Sequence, residues 1–253
     1  MAHVNLESQN RQARETGNIS ALVALDVAKG YDSVEHSVLL HIMASVRVPP
    51  CIISWVDSLL TGRWIFCSDG RFTSSQQAQH RGVHQGSVVS LLLFNILMSS
   101  LPIDQDILTI TYADDLAFFA SSPSLLLLYE KLQACLNALT AWMRSVHLSL
   151  NVQKCAVLLF TPTSCPSSPV TIDLKVAPES IRQTNLLKYL YVWYEEYFDW
   201  AHHPEVVSLK AAKACSILRR CSSTRIGMRR NALLFVFKGY IRPVRLRSFL
   251  PPP

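Results

Sequence analysis

Ile107-Leu108-Thr109-Ile110-Thr111-Tyr112-Ala113-Asp114-Asp115-Leu116-Ala117-Phe118-Phe119-Ala120 sets two adjacent acids in an otherwise apolar run. Both flanks are rich in β-branched or aromatic residues, the pattern of two strands joined by a tight turn. Asp is a favoured turn residue, so the two carboxylates fall at the hairpin tip. Paired anions there repel each other and gain nothing from packing. A divalent cation is their natural compensation.

Working outward, Ala21-Leu22-Val23-Ala24-Leu25 is a short apolar run ending at Asp26, a buried-strand pattern. A helix is expected over 34–45, then a break at Pro49-Pro50 and a second helix over 52–60. Residues 63–72 read as β with Asp69-Gly70 as a hairpin turn. Gln85-Gly86-Ser87 opens an apolar helix over 88–100. After the hairpin, Leu125, Leu128, Leu132, Cys135, Leu139, Trp142 and Val146 recur at steps of three and four, a helix over 124–147. Residues 155–160 form another apolar strand, and 161–169 a Pro/Ser loop. A short β pair is expected near 170–176 and 187–193, then two basic helices, one from Pro204 and one over about 229–240.

The central order is β-α-β-β-α-β with a helical insert, the split βαβ of a ferredoxin-like α+β sheet with helices on one face. In that topology Asp26 ends its strand near the tip carrying Asp114 and Asp115. Three clustered aspartates can hold two Mg²⁺ ions about 4 Å apart, the arrangement used for in-line displacement at phosphorus. Mg²⁺ takes one or two carboxylates plus substrate phosphates, so no His or Cys cage is required. A Ca²⁺ loop would need alternating oxygen ligands and a closing Glu, which are absent here. Asp114 could equally make only the turn and Asp26 cap the next helix, and the Asp-Asp pair alone leaves both readings open.

Composition narrows the class. The 253 residues are 49% apolar, and mean hydropathy is +0.20, which excludes a disordered chain. The longest apolar stretch, 87–101, contains Ser and Asn and falls short of the roughly 20 residues of a membrane span. The first 20 residues carry no secretory core. Seven cysteines, an odd number with no C-x-x-C pair, read as reduced thiols packed as small hydrophobes. These features point to an intracellular protein without a membrane partner, nucleus and cytoplasm being indistinguishable. His202-His203 with Glu205 is the only other ligand-like cluster, and consecutive histidines point to different sides of any regular element. Residues 201–253 hold 11 of the 24 Lys/Arg and one acid, while the first 200 residues carry a net −4. A basic segment facing a polyanion, or simply a solvated helical surface, fits that asymmetry.

The motifs themselves carry a resemblance. Residues 24–34 (Ala-Leu-Asp-Val-Ala-Lys-Gly-Tyr-Asp-Ser-Val), 81–90 (Arg-Gly-Val-His-Gln-Gly-Ser-Val-Val-Ser) and Tyr112-Ala113-Asp114-Asp115 resemble successive motifs of reverse transcriptases, above all those of non-LTR (LINE-type) retrotransposons. Leu148-Ser149-Leu150-Asn151 with Lys154-Cys155, Leu187-Lys188-Tyr189-Leu190, and Ile241-Arg242-Pro243 match the later motifs, in order, over about residues 20 to 243. The resemblance implies a polymerase palm with part of the fingers over 20–160, preceded by a polar segment 1–19. A primer-grip-like β segment would follow over 170–200, then the start of a basic helical thumb over 201–253.

It implies RNA-directed DNA polymerase activity with Mg²⁺ (two ions, Mn²⁺ possible), an RNA template, a DNA primer and dNTP, with no obligate protein partner evident. Asp26, Asp114 and Asp115 would be metal ligands, and Lys154 the cation assisting pyrophosphate departure. The backbone at Val27 would touch metal or triphosphate. Tyr31 would stack under the incoming sugar and exclude a 2′-hydroxyl, or else serve as a core aromatic. Gln85 and Gly86 would support the nascent pair. Tyr112, Tyr189 and Leu190 would meet the primer. On the thumb helix Lys210, Lys213 and Arg220 share one face, able to contact phosphates, while Val207, Ala211, Ala214 and Leu218 share the packed one.

The chain departs from the family at His84 and Leu91, where Pro is usual, at Tyr191, where Gly is usual, and at Gly30, where Ala is common. It begins close to the first catalytic strand, with little upstream fingers sequence, and shows no endonuclease or RNase H domain. These departures set the expectation of a truncated or decaying copy whose metal site is intact in sequence but whose polymerisation is weak or absent. The alternative is a non-catalytic nucleic-acid-binding relic of such a domain.

Overall fold

The structure is a computed structural model describing residues 2–161, 170–196, 202–222 and 230–241. Most of the expected 161–169 loop, Arg242-Pro243 of the last motif and the terminal prolines lie outside the described residues. The chain divides into two units, Met1–Thr184 and Asn185–Pro253. That division cuts the 170–200 segment expected from the sequence.

The first unit runs α1 (Ala2–Glu15), β1 (Ile19–Asp26), α2 (Gly30–Ser33), α3 (His36–Ser45), α4 (Pro50–Leu60), β2 (Arg63–Ile65), β3 (Gln77–Gln79) and α5 (Val88–Met98). It continues through β4 (Leu108–Tyr112), β5 (Asp115–Ser122), α6 (Leu125–Ser145), a 3₁₀ turn (Val152–Lys154), β6 (Ala156–Phe160), β7 (Lys175–Val176), β8 (Glu179–Ser180) and β9 (Arg182–Gln183). Five strands form one sheet in the order β4-β5-β1-β6-β9. β1 is antiparallel to both β5 and β6, and β9 adds in parallel to β6. The expected α+β class and split βαβ order are therefore present, with β9 as an extra strand.

β1 is apolar on both faces because it is central. Ala21, Val23 and Leu25 join Phe118 of β5 and Val157 and Leu159 of β6 in the main core. Helices α5 and α6 close that face with Leu93, Phe94, Leu97, Leu128, Leu132, Leu136 and Leu139. Each fully buried leucine contributes roughly 1.5–3 kcal/mol, so the periodic face of α6 anchors the sheet.

The opposite face is also covered, which corrects the expectation of helices on one face only. Leu22, Phe119, Leu158 and Phe160 are buried there. α1 packs on β1 and β5 with Leu6, Asn10 and Ala13 turned inward, and Ser20 Oγ donates to Asn10 Oδ1 at 2.7 Å. The segment expected to be merely polar is thus a helix. Its inward residues are spaced i, i+4, i+7, and only two of the three are apolar.

Two β pairings differ from expectation. The 63–72 ladder is reduced to an isolated Ser68–Thr73 bridge around the Asp69-Gly70 turn, while β2 pairs instead with β3. Residues 170–176 do not pair with 187–193. β7 pairs with β8, and Ile172, Leu174 and Ile181 join the core of the first unit.

The second unit contains the hairpin β10 (Leu186–Tyr189) and β11 (Val192–Glu195), α7 (His202–Cys221), α8 (Arg230–Val236) and a π-helical turn (Phe237–Ile241). Val207 and Ala214 on α7 are buried, whereas Lys210, Lys213 and Arg220 are exposed, matching the two expected faces at those positions. Among the described residues no helix is long and apolar enough to cross a membrane.

Candidate active site

The site is built where three segments end together. In β1–β5 the register runs without a break from Ile19↔Ser122 to Asp26↔Asp115, so these two aspartates are direct cross-strand partners. Tyr112 pairs with Asp115 in β4–β5, leaving Ala113-Asp114 as a two-residue loop with Ala113 at φ +54°. The turn after β1 closes against that tip: a methyl group added at Gly30 would lie 3.5 Å from Asp114 Cβ. The same methyl would meet the Phe94 ring at 3.2 Å, so Gly30 fits where a larger residue would press on Phe94.

Residues 149–155 wrap the end of β1. Val27 bridges Leu150, Ala28 N–H donates to Ser149 O, and Asn151 N–H donates to Asp26 O. Cys155 is buried beneath this end. It accepts from the Asp26 N–H at 3.5 Å and donates to Asn151 O at 3.3 Å. Lys154, on the 3₁₀ turn, brings Nζ to 3.4 Å from Asp26 Oδ2. The cation expected to assist a leaving pyrophosphate therefore stands beside Asp26.

Electrostatically the cluster is short of positive charge. Burial pushes the Asp115 carboxyl up, and the charges of Asp114 and Asp26 push it further the same way. Tyr31 is half-buried, stacks on Phe94 at 4.7 Å, and its hydroxyl is raised by burial and by the Asp114 charge. Its ring packs against the core, as one of the two sequence readings has it, while its hydroxyl feels the charge at the hairpin tip. Among the described residues no three His, Cys, Asp or Glu side chains are grouped closely enough to cage a metal ion. The donor type still fits a hard divalent cation completed by substrate oxygens: neighbouring carboxylates that repel one another.

Gln85 and Gly86 lie on the loop before α5. Gly86 takes φ +90°, a left-handed conformation that accounts for glycine there. Gln85 Nε2 donates to Asp32 Oδ1 at 2.9 Å. Sequence reading passed over Asp32, although it lies within the quoted 24–34 motif. Tyr112 is 64% exposed at the end of β4. Val27 is buried as a side chain, leaving its backbone as the only group with which it could face a ligand.

In the second unit Tyr189 is 4% exposed, so its ring is packed and not presented to a primer, contrary to expectation. The tip of that hairpin is Leu190-Tyr191, at φ +45° and +71°, with Lys188 Nζ 5.6 Å from the Tyr191 ring centroid. The side chains of His202 and His203 lie outside the described residues.

Comparison with known proteins gives this geometry a lineage. A family model described as reverse transcriptase (RNA-dependent DNA polymerase) matches residues 2–194. The chain is 26% identical to the RNA-directed DNA polymerase from mobile element jockey of Drosophila melanogaster, over 92% of its own length and 26% of that protein. It is 28% identical to a retrovirus-related Pol polyprotein from a type-1 retrotransposable element R2 of Popillia japonica, over 66% of its length and 28% of that protein. The chain therefore spans only about a quarter of these relatives. Among solved structures, apo telomerase from Candida tropicalis truncated from its C-terminal domain shares its fold at a TM-score of 0.50 and 14% identity, covering 75% of this chain and 37% of that one. The fold is thus matched in three dimensions and the family in sequence, and the chain belongs to the reverse transcriptase (RNA-dependent DNA polymerase) family, as a domain of the non-LTR retrotransposon type.

Proposed function

We propose that this chain is the polymerising domain of a retrotransposon protein, transferring dNTPs to a DNA primer 3′-hydroxyl on an RNA template inside the cell. Reverse transcriptases as a family use divalent metal ions; here Asp26, Asp114 and Asp115 would hold two Mg²⁺, or Mn²⁺ in their place. Bound there, such ions lower the pKa of the attacking hydroxyl and stabilise the pyrophosphate leaving group.

The observation that carries the reading is the Asp26↔Asp115 register with Asp114 in the adjoining turn. Lys154, whose Nζ lies beside Asp26, would donate to a leaving phosphate. Tyr31, held by Phe94, would sit under the incoming sugar, and Gln85-Gly86 would face the nascent pair. The exposed cations Lys210, Lys213 and Arg220 of α7 supply sequence-independent attraction for a template–primer backbone.

Template-primed extension with Mg²⁺ or Mn²⁺, with Asp114→Asn as control, tests the reading. DNA synthesis by the wild-type chain that disappears in D114N is the expected result. Nucleic-acid binding with no Asp114-dependent synthesis would replace it with a non-catalytic relic.

A further inference from the structure

We propose that Asp32 is a positioning residue for nucleotide selection, acting by fixing the side-chain amide of Gln85; this rests on the polymerase reading above. The contact is a hydrogen bond from Gln85 Nε2 to Asp32 Oδ1 at 2.9 Å, between residues 53 positions apart. A carboxylate only accepts, so it can hold the amide only by its NH₂ end. Both side chains are exposed, and the bond favours one of the two possible flips of Gln85, with Oε1 and the second N–H left to face a ligand.

The two residues are carried on segments clamped by other bonds, so their meeting is built into the fold. Gly82 N–H donates to Val34 O at 2.7 Å and Val83 N–H to Tyr31 O at 2.8 Å. His36 Nε2 donates to Gly82 O at 2.9 Å, and Arg81 Nε pairs with Glu35 Oε2 at 2.8 Å. Gly82, at φ +85°, passes so close that a methyl group there would lie 2.8 Å from Asp32 O. Downstream of the loop, Phe94 of α5 stacks on Tyr31, the residue next to Asp32.

Tyr31 and Gln85 are therefore parts of one block, the first placed for the sugar and the second for the base pair. Gln85 also lines a cavity of about 320 Å³ with Arg63, His84, Gly86 and Ser90. An amide free to flip would offer a donor or an acceptor at the same point. Fixing it makes the recognition single-valued, which is what discrimination between correctly and wrongly paired nucleotides requires.

The test is a double-mutant cycle on the full chain: wild type, D32A, D32N, Q85A and D32A/Q85A. The readouts are apparent KM and kcat for dTTP on a poly(rA)/oligo(dT) template–primer, with dTTP affinity by calorimetry. D32A is expected to raise KM and Kd about tenfold with kcat changed less than about twofold, as for loss of one charge-assisted positioning bond. D32N, whose Oδ1 can accept the same bond, should recover most of the loss. D32A/Q85A should be no worse than Q85A alone, because the effect of Asp32 passes through Gln85. A D32A protein matching wild type, a D32N protein as impaired as D32A, or additive losses in the double variant would overturn the proposal. A wild-type chain that neither extends nor binds dTTP would instead overturn the polymerase reading, and this proposal with it.

Discussion

Lys154 Nζ stands 3.4 Å from Asp26 Oδ2, so a flexible cation occupies the carboxylate that the site would offer to a metal. The Lys154 side chain is 67% exposed, and such pairs contribute only about 0.2–1 kcal/mol. A dication can therefore displace it at small cost. Lys154→Met removes both the competitor and a repelling charge, and is expected to tighten Mn²⁺ binding roughly two- to fivefold. Titration of Mn²⁺ by electron paramagnetic resonance measures this directly. Unchanged or weaker binding would show that Lys154 does not compete for Asp26.

Asp115 faces Asp26 across the ladder, and its carboxyl is pushed up by burial and by the charges of Asp114 and Asp26. In metal-free protein, Asp115→Asn should therefore stabilise the fold by about 0.2–1 kcal/mol, the range for a like-charged cross-strand pair. The sign with pH follows from linkage. A carboxyl raised in the native state takes up its proton there first, so the wild-type penalty is full at neutral pH. It fades as pH falls through the raised native value toward the unfolded value of about 4. Denaturant midpoints in EDTA should show D115N ahead at pH 7 and the gap closing on acidification. A gap that widens with acid would contradict the assignment.

Thiol chemistry should separate the cysteines by environment. Burial and the Asp104 charge push the Cys135 thiol up to about 11. Burial also raises Cys155, despite the Asp26 N–H it accepts. Cys51 and Cys67 are exposed. Iodoacetamide at pH 8 should label Cys51 and Cys67 in the native protein, and Cys135 and Cys155 only after denaturation. Peptide mass spectrometry reads the order. Early labelling of Cys155 would mean that the floor beneath Asp26 opens readily.

The basic face of α7 predicts a salt effect. Replacing Lys210, Lys213 and Arg220 together with Ala should lower the slope of log affinity against log salt by about 2–3 for a template–primer. Affinity should fall similarly for unrelated sequences, since phosphate contacts carry no base information. Filter binding across a salt series is sufficient. An unchanged slope would remove α7 from the nucleic-acid surface.

Sequence made legible whatever a local period or an ordered motif could encode. The apolar stripe of α6, the double-faced apolar β1 and the acid-tipped hairpin all announce themselves within their own segments. Their order along the chain is enough to bring Asp26 near the tip that carries Asp115. What escaped was weak locally or decided at long range. α1 shows only Leu6, Asn10 and Ala13 to the sheet, too few to stand out in a polar segment. β9 is two residues long and exists because β6 offers it an edge. The Asp32–Gln85 bond joins two polar side chains whose separate patterns say nothing of each other. Tyr191 was legible as a departure from the family's glycine, and the structure gives the reason it matters.

At the β10–β11 tip, Leu190 and Tyr191 both hold positive φ between the paired residues Tyr189 and Val192. A two-residue hairpin loop of this hand favours Asn-Gly, and a bulky residue in the left-handed region costs about 1–2 kcal/mol. Tyr191→Gly relieves that cost, but it adds backbone entropy of about 0.5–1 kcal/mol and removes the Lys188 contact with the ring. Its net effect is small, so it is a poor test alone. The comparison with Tyr191→Ala is decisive, because both variants lose the ring contact. At an ordinary φ, Ala would be the more stable of the two by about 0.4–1 kcal/mol. At φ +71° Gly should instead be more stable by about 1 kcal/mol. Hydrogen exchange of the hairpin amides reports that local difference, and an Ala variant as well protected as the Gly variant would mean that the tip is unstrained.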